Sequence, residues 1–131
     1  MGEQLRKLAG ILIEGRPQEG WAVLGIGLNV AVELAELPAE LRPTAATLGL
    51  PRSEIEPLLA RLLTALSRRL REPADATLAA WRALDALSGR RVAWSGGAGH
   101  AEGIDGDGRL VVVREGGGRA TLAAGEVHLA T

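Results

Sequence analysis

Two short apolar runs lie close together near the start of the chain. Residues 7–14 read Lys-Leu-Ala-Gly-Ile-Leu-Ile-Glu, and residues 21–29 read Trp-Ala-Val-Leu-Gly-Ile-Gly-Leu-Asn. Both are rich in Ile, Val and Leu, which favours strands over helices at this length. Gly and Pro in the intervening Gly-Arg-Pro-Gln-Glu-Gly (15–20) mark a turn, so the pair is expected to form an antiparallel hairpin. Pairing Glu14 with Trp21 sets Gly10 opposite Gly25. Alternation then places Ala9, Ile11, Ile13, Ala22, Leu24, Ile26 and Leu28 on one face. Leu8, Gly10, Leu12, Trp21, Val23, Gly25, Gly27 and Asn29 share the other.

The first face reads as a core face. The second is stripped of side chains at Gly10, Gly25 and Gly27. Glycine weakens a strand and often marks the close approach of a ligand or another backbone. Two readings follow. The glycines could floor a site for a flat ligand with an anionic tail, with Lys7 at one end and Asn29 at the other. Alternatively the strand is bent or bulged beneath a packed helix, the commoner use of such glycines.

Downstream, the end of a strand and a loop are expected over Val30–Leu41, and a short helical turn over Thr44–Leu50. Ser53-Glu-Ile-Glu56 fits a capping box. Ile55, Leu58, Leu59, Leu62, Leu63, Leu66 and Leu70 then follow helical spacing, a broad stripe expected to cover the core face of the hairpin. Arg68, Arg69 and Arg71 suit the negative end of the helix dipole, and Pro73 stops the helix. A second helix is expected over Ala76–Leu87, capped by Asp75, with Trp81 as a packing anchor and Arg82 pairing with Asp85. After Ser88-Gly89 the pattern changes to short alternating runs. Strands are expected at Arg91–Ser95, Ala101–Ile104, Arg109–Arg114, Arg119–Leu122 and Val127–Leu129. Hairpin turns fall at Asp105–Gly108 and Glu115–Gly118. Five short strands in so few residues suggest a small SH3-like barrel.

Composition narrows the classes. The chain has 131 residues, enough for one or two small domains. With no Cys, a disulfide framework and a thiolate metal site are both excluded. A net charge of −1 offers no basic field for nucleic acid and no polybasic tract for a membrane surface. Met1–Lys7 is not a signal peptide, and Arg6 stands where a myristoylation motif needs Ser or Thr. The longest apolar run, Trp21–Val32, is interrupted by Asn29 and too short to span a bilayer. A cytoplasmic location fits these features. Of 15 basic residues, all but Lys7 are Arg. Lysine is a compact point charge and arginine a planar fork, so a lone Lys can mark a place Arg cannot fill, or simply a chance survivor.

Two familiar motifs are excluded. Gly25-Ile26-Gly27 is not a dinucleotide fingerprint, because Val30 stands where the third Gly is needed. Asp105-Gly-Asp107-Gly108 is not a calcium loop, because Gly116 occupies the position of the bidentate Glu. His100 and His128 are isolated from one another and from any nucleophile pattern, and read as structural or exposed.

Lys-Leu-Ala-Gly-Ile-Leu-Ile-Glu (7–14) followed by Gly-Ile-Gly-Leu-Asn (25–29) resembles the central domain of biotin–protein ligases. The resemblance continues through Trp81-Arg-Ala-Leu-Asp85, the Ser88-Gly89-Arg90 junction, Ala101–Leu110 and Ala124–Leu129. It implies an α+β chain: part of a mixed sheet covered by helices, then a small SH3-like β-barrel. Residues 1–87 would be the C-terminal portion of the catalytic domain and 88–131 the barrel domain.

The resemblance also implies a two-step, C–N bond-forming ligase. Biotin and ATP, with Mg2+, would give biotinyl-AMP and pyrophosphate. A lysine of a biotin carboxyl carrier protein would then attack the activated carbonyl. Lys7 corresponds to the family's essential Lys, steadying the biotin carboxylate and the charge developing at phosphate. Gly10, Gly25 and Gly27 match positions where backbone meets the biotin rings, and Leu12 matches an apolar wall. Asn29 matches a position near the ATP phosphates and metal. Ile26 stands where some members have Ala; it either trims the pocket or points into the core. No protein side chain is implied as a metal ligand.

Strict alternation puts Lys7 on the face opposite Gly10 and Leu12. Shared ligand contact therefore requires Lys7 to precede the regular ladder, or the strand to be irregular there. The family's Gly/Arg-rich loop and its Trp-Pro-Asn-Asp stretch do not occur in this sequence. The expectation is one wall of a pocket, in a chain that does not complete biotinylation without an N-terminal half. The competing readings are a non-catalytic module binding a carrier or subunit, and an interaction fragment stabilised as a homodimer through an open strand edge.

Overall fold

The structure, a computed structural model, describes residues 5–123, 125 and 127–129. The Met1–Gln4 part of the polar start lies outside the described residues. So do Ala124 and Glu126 of the last family-like motif. The chain divides into two compact units, Met1–Leu66 and Ser67–Thr131.

In the first unit, β1 (Ala9–Arg16) and β2 (Trp21–Leu28) form the expected antiparallel hairpin. Its register differs from the expected one. Arg16 pairs with Trp21, Glu14 with Val23, Leu12 with Gly25 and Gly10 with Gly27. Gly15 and Arg16 extend the strand, and a short 3-10 turn over Pro17–Glu19 closes the loop, with Gly20 at φ 71°. Gly20 takes the left-handed conformation that glycine adopts without a Cβ penalty. The ladder moves by two residues, an even number, so the division of side chains between the faces is unchanged.

Thr44–Leu50 is not a helical turn. Thr44 ends a turn in which the Thr44 and Ala45 N–H groups donate to Leu41 O at 3.1 and 2.9 Å, Ala45 forms a parallel bridge with Lys7, and residues 46–50 form no helix, with Gly49 left-handed at φ 65°. The strip also receives Asn29 and Val30: Leu48 N–H donates to Asn29 O at 2.9 Å and Leu50 N–H to Val30 O at 3.1 Å. The alternate N–H groups of Ala46, Leu48 and Leu50 donate to the distant carbonyls of Lys7, Asn29 and Val30, which outweighs weak local helix preference. The bridge is isolated, and among the described residues the hairpin sheet itself is two-stranded and antiparallel instead of mixed.

Helix α1 (Ile55–Arg69) follows a 3-10 turn over Arg52–Glu54 whose cap is Pro51. Ser53 therefore lies inside the first turn instead of capping it. The helix meets β2 at a small cleft lined by Ile26, Leu28, Val30, Ile55, Leu58, Leu59 and Leu62. It does not cover the whole core face. Ile11 and Ile13 stay 68% and 66% exposed, and Leu63 of the stripe 55%. Ile26 points into this cleft, as alternation implies.

In the second unit, α2 (Ala74–Arg82) starts at Pro73 and stops short of Leu87. Trp81 remains 42% exposed, so it anchors less than its size suggests. The expected Arg82–Asp85 pair is replaced by two other bonds. Arg82 donates to the Ile104 carbonyl at 3.2 Å, while Asp85 Oδ1 accepts from the Leu87 and Ser88 N–H groups at 2.8 and 3.3 Å. Each offers a backbone partner that would otherwise face solvent, and a surface ion pair has little to set against them.

Strands β3 (Arg91–Trp94), β4 (Gly97–Ile104), β5 (Leu110–Arg114), β6 (Arg119–Leu122) and β7 (His128–Leu129) form one antiparallel sheet in the order β6-β5-β4-β3-β7. Among the described residues β6 and β7 remain its edges, so the sheet is not a closed barrel. Strand β7 is two residues long and pairs with β3. The core is Val92, Ala101 and Val112, flanked by Leu87, Trp94, Leu110, Leu122 and Val127. Both expected turns are present, with Gly108 at φ 79° and Gly117 and Gly118 at φ 89° and 81°. Gly99 is buried, and a Cβ there would overlap the Val113 carbonyl oxygen, so only glycine fits.

Candidate functional site

A cleft of about 550 Å³ opens beside the paired ends of β1 and β2. From the hairpin, Ala9, Gly10, Gly27 and Leu28 line it. Lys7 and Asn29 stand at its ends, and Val32, Leu37, Leu41, Thr44 and Ala45 complete the wall.

Lys7 lies outside the hairpin ladder, which begins at Ala9. Its N–H donates to Thr44 O at 2.6 Å, and its carbonyl accepts from Ala46 N–H at 2.9 Å. Freed from strict alternation, its side chain reaches Gly10. A Cβ built on Gly10 would lie 3.5 Å from Lys7 Cε and 3.7 Å from Nζ. The conflict between strand alternation and a shared site is resolved by Lys7 preceding the ladder.

Asn29 closes the hairpin. Its N–H donates to Leu8 O at 3.0 Å, and its side-chain Nδ2 donates to Ala46 O at 2.9 Å. That bond assigns the amide orientation and leaves Oδ1 as the acceptor. Thr47 Oγ1 lies 3.3 Å from Asn29 O and 3.2 Å from Val30 O, tying the same strip down again.

The glycines distinguish packing from ligand access. A bent strand beneath a helix would put atoms against their bare faces. A Cβ at Gly27 would meet nothing within 4 Å, and one at Gly25 only the Leu12 carbonyl oxygen at 3.6 Å. Neither glycine has positive φ. Within the described residues, neither sterics nor backbone conformation requires glycine at these two positions.

The structure thus brings together Lys7, Gly10, Gly27 and Asn29. Leu12 and Gly25 form the next-but-one pair along the ladder and do not line the cleft. Leu12 is 65% exposed. Thr44 and Ala45 line the cleft but were not anticipated from sequence. Their one local signal was Thr at 44 and 47 between two prolines, a pattern that suits extended backbone.

Lys7 is the one charged side chain of the lining, with Asn29 and Thr44 the other polar ones, so an anionic group entering the cleft would meet one cation. No cluster of three or more His, Asp or Glu suited to a metal occurs among the described residues. His100 is exposed on β4, and no described helix is long and apolar enough to cross a membrane.

The fold is shared with biotin protein ligase. The crystal structure of the Aquifex aeolicus enzyme superposes with a TM-score of 0.74 at 23% identity, covering 97% of this chain and 60% of that one. The apo enzyme gives the same score and identity over 98% and 61%. Its complex with biotin and ATP gives 0.73 at 21% identity, over 98% and 58%. At this identity the likeness establishes the fold, an α+β architecture spanning about 60% of the ligase. No protein-family model matches the chain, and no curated protein matches it significantly.

Proposed function

We propose that this chain forms one wall of the active site of a biotin–[biotin carboxyl-carrier protein] ligase. The observation that carries the reading is Lys7 folded over Gly10 at the end of an open, glycine-floored cleft. A volume of about 550 Å³ falls within the range of small-molecule sites. The fused rings of biotin suit a floor without side chains, and its carboxylate suits the single ammonium.

In the first step a biotin carboxylate oxygen attacks the α-phosphorus of ATP, and pyrophosphate leaves. In the second, the amine of a carrier lysine attacks the acyl carbon and AMP leaves. Lys7 is the catalytic residue. It holds the carboxylate and offsets charge that grows on the phosphoryl oxygens. Gly10 and Gly27 let backbone approach the rings, with Gly25 and Leu12 continuing that surface. Asn29 offers Oδ1 toward the ATP end. Mg2+ enters with ATP as part of the substrate. Residues 1–87 would belong to the catalytic domain and 88–131 to an SH3-like domain, in a cytoplasmic enzyme. The remaining walls of the site would come from an N-terminal half.

Calorimetric titration of the chain with biotin and with a non-hydrolysable biotinyl-adenylate tests this. Binding is expected, tighter for the adenylate, and weakened by Lys7→Ala. Carrier biotinylation is expected only when an N-terminal half is added. No binding of either ligand would overturn the reading. A second reading, a non-catalytic module that binds a carrier or subunit, is favoured by the exposed apolar side chains of Ile11, Leu12 and Ile13. It predicts carrier binding with no affinity for biotin.

A further inference from the structure

We propose that Asn29 is a positioning residue for Lys7, acting across the chain through the backbone of Ala46. What Lys7 faces rests on the ligase reading; how Lys7 is held does not.

Lys7 itself precedes the hairpin ladder, which begins at Ala9; its neighbour Leu8 is tied to the hairpin by Asn29 N–H donating to Leu8 O at 3.0 Å. The Lys7 backbone is fixed by two bonds to the strip: Lys7 N–H to Thr44 O at 2.6 Å and Ala46 N–H to Lys7 O at 2.9 Å. A single parallel bridge, Lys7 with Ala45, is not a sheet, so the strip must itself be anchored. Asn29 supplies that anchor. Its Nδ2 holds the Ala46 carbonyl at 2.9 Å in a half-buried position, and its own carbonyl takes the Leu48 N–H at 2.9 Å. Ala46 therefore donates to Lys7 on one side and accepts from Asn29 on the other. The two bonds sit on the adjacent peptide groups that flank the Ala46 Cα, so the coupling is mechanical: freeing the Ala46 carbonyl lets the backbone that carries the Ala46 N–H shift.

The residue type follows from the geometry. The anchor must donate to a carbonyl from a short side chain at the strand end. Aspartate has the same shape but would turn an anionic oxygen toward the Ala46 carbonyl. Serine is too short to span the same distance. A displacement of about 1 Å in a charged group at a reacting centre costs on the order of 100-fold in rate. The structure therefore gives Asn29 two uses: Nδ2 is committed to placing Lys7, and Oδ1 remains for ligand.

The sole lysine makes the test specific. Reductive 13C-dimethylation of the full chain labels only Lys7 and the terminal amine. Nuclear Overhauser contacts from the Lys7 methyls to the Gly10 α-protons report the side chain's position without any ligand. They are expected in the unaltered chain. Asn29→Asp should abolish them and speed amide exchange at Ala46 roughly 10-fold, through loss of one net hydrogen bond. Ala46→Pro, which removes the N–H donated to Lys7 O, should abolish the same contacts by cutting the other side. Thr47→Val, which loosens the strip at another point, should leave them intact. Contacts that survive either of the first two changes, or that disappear equally in Thr47→Val, overturn the proposal. Loss of fold in one of the first two leaves the other to decide. Adding biotin to the unaltered labelled chain tests the ligase reading separately, because a missing ligand shift leaves the Asn29 result standing.

Discussion

The side chain of Lys7 lies across the bare face of Gly10, with Cε 3.5 Å and Nζ 3.7 Å from where a Cβ would stand. Only Leu8 and Ala9 separate a lysine that precedes the strand from the glycine that makes room for it. The contact is ordinary van der Waals distance, so Gly10→Ala would fit. Its effect should appear in the freedom of the ammonium more than in stability.

Lys7→Arg is expected to be tolerated by the fold and not by the site. Lys7 is exposed, and substitutions at such positions usually change stability by less than about 0.5 kcal/mol. The planar guanidinium cannot place a point charge over Gly10 in the same way. Binding of the biotinyl-adenylate analogue should weaken about 10-fold or more, or roughly 1.4 kcal/mol, in a calorimetric titration. Thermal melts of the two chains should coincide. Equal affinity would remove Lys7 from the site.

Gly27→Val separates ligand access from packing. Nothing within 4 Å opposes a Cβ at this position, and valine suits a strand. Stability should be unchanged or slightly raised. The added methyl groups project from the floor of the cleft, so biotin affinity should fall sharply. A loss of stability of about 2 kcal/mol instead would place a hidden neighbour against Gly27.

The second unit should respond in the opposite sense. Gly99→Ala would drive a Cβ against the Val113 carbonyl oxygen, which is backbone and cannot move aside cheaply. Val112→Ala would leave a void in a fully buried position. Each is expected to cost about 2 kcal/mol or more in chemical denaturation. Biotin affinity measured on the folded population should be unaffected.

Acid should loosen one cross-strand link. Arg91 Nε donates to Glu115 Oε1 at 2.5 Å, joining residues 24 apart in sequence. That hydrogen bond first, then the Arg91 charge and the charge on His100, holds the Glu115 carboxyl below its ordinary value. A carboxylate with a depressed folded pKa stabilises the fold above its unfolded pKa. The contribution is lost as pH falls through the folded value. In an NMR titration the Glu115 carboxyl midpoint should fall below the usual Glu value of about 4.3. Arg91→Gln should raise it. An unchanged midpoint in Arg91→Gln would show that the ion pair does not form in solution. Both groups are exposed, so the effect on overall stability should be small.

The hairpin and its glycine face were legible in the sequence because strand alternation is local. A period of two assigns every side chain to a face once the strand is recognised, and an even change in register leaves that assignment intact. The two tight turns of the second unit were legible for the same reason, since positive φ at Gly108, Gly117 and Gly118 is a property of the glycines themselves. Lys7 and Asn29 stood out through chemical type at the ends of a bare floor.

What the sequence could not decide was which distant backbone each local segment would bond. The even shift in register depends on whether Gly15 and Arg16 join the ladder or the loop. Thr44–Leu50 has acceptable helical residues, yet the Ala46, Leu48 and Leu50 N–H groups go to Lys7, Asn29 and Val30 instead of to a helical turn. Arg82 and Asp85 carry opposite charges one turn apart, yet each bonds to backbone that the fold brings near. The five short strands fix a sheet, but closure depends on pairing between its two edges, and among the described residues β6 and β7 do not pair. The site follows the same rule. Sequence supplied the lysine, the glycines and the asparagine, while tertiary hydrogen bonds through Ala46 brought the lysine over the glycine.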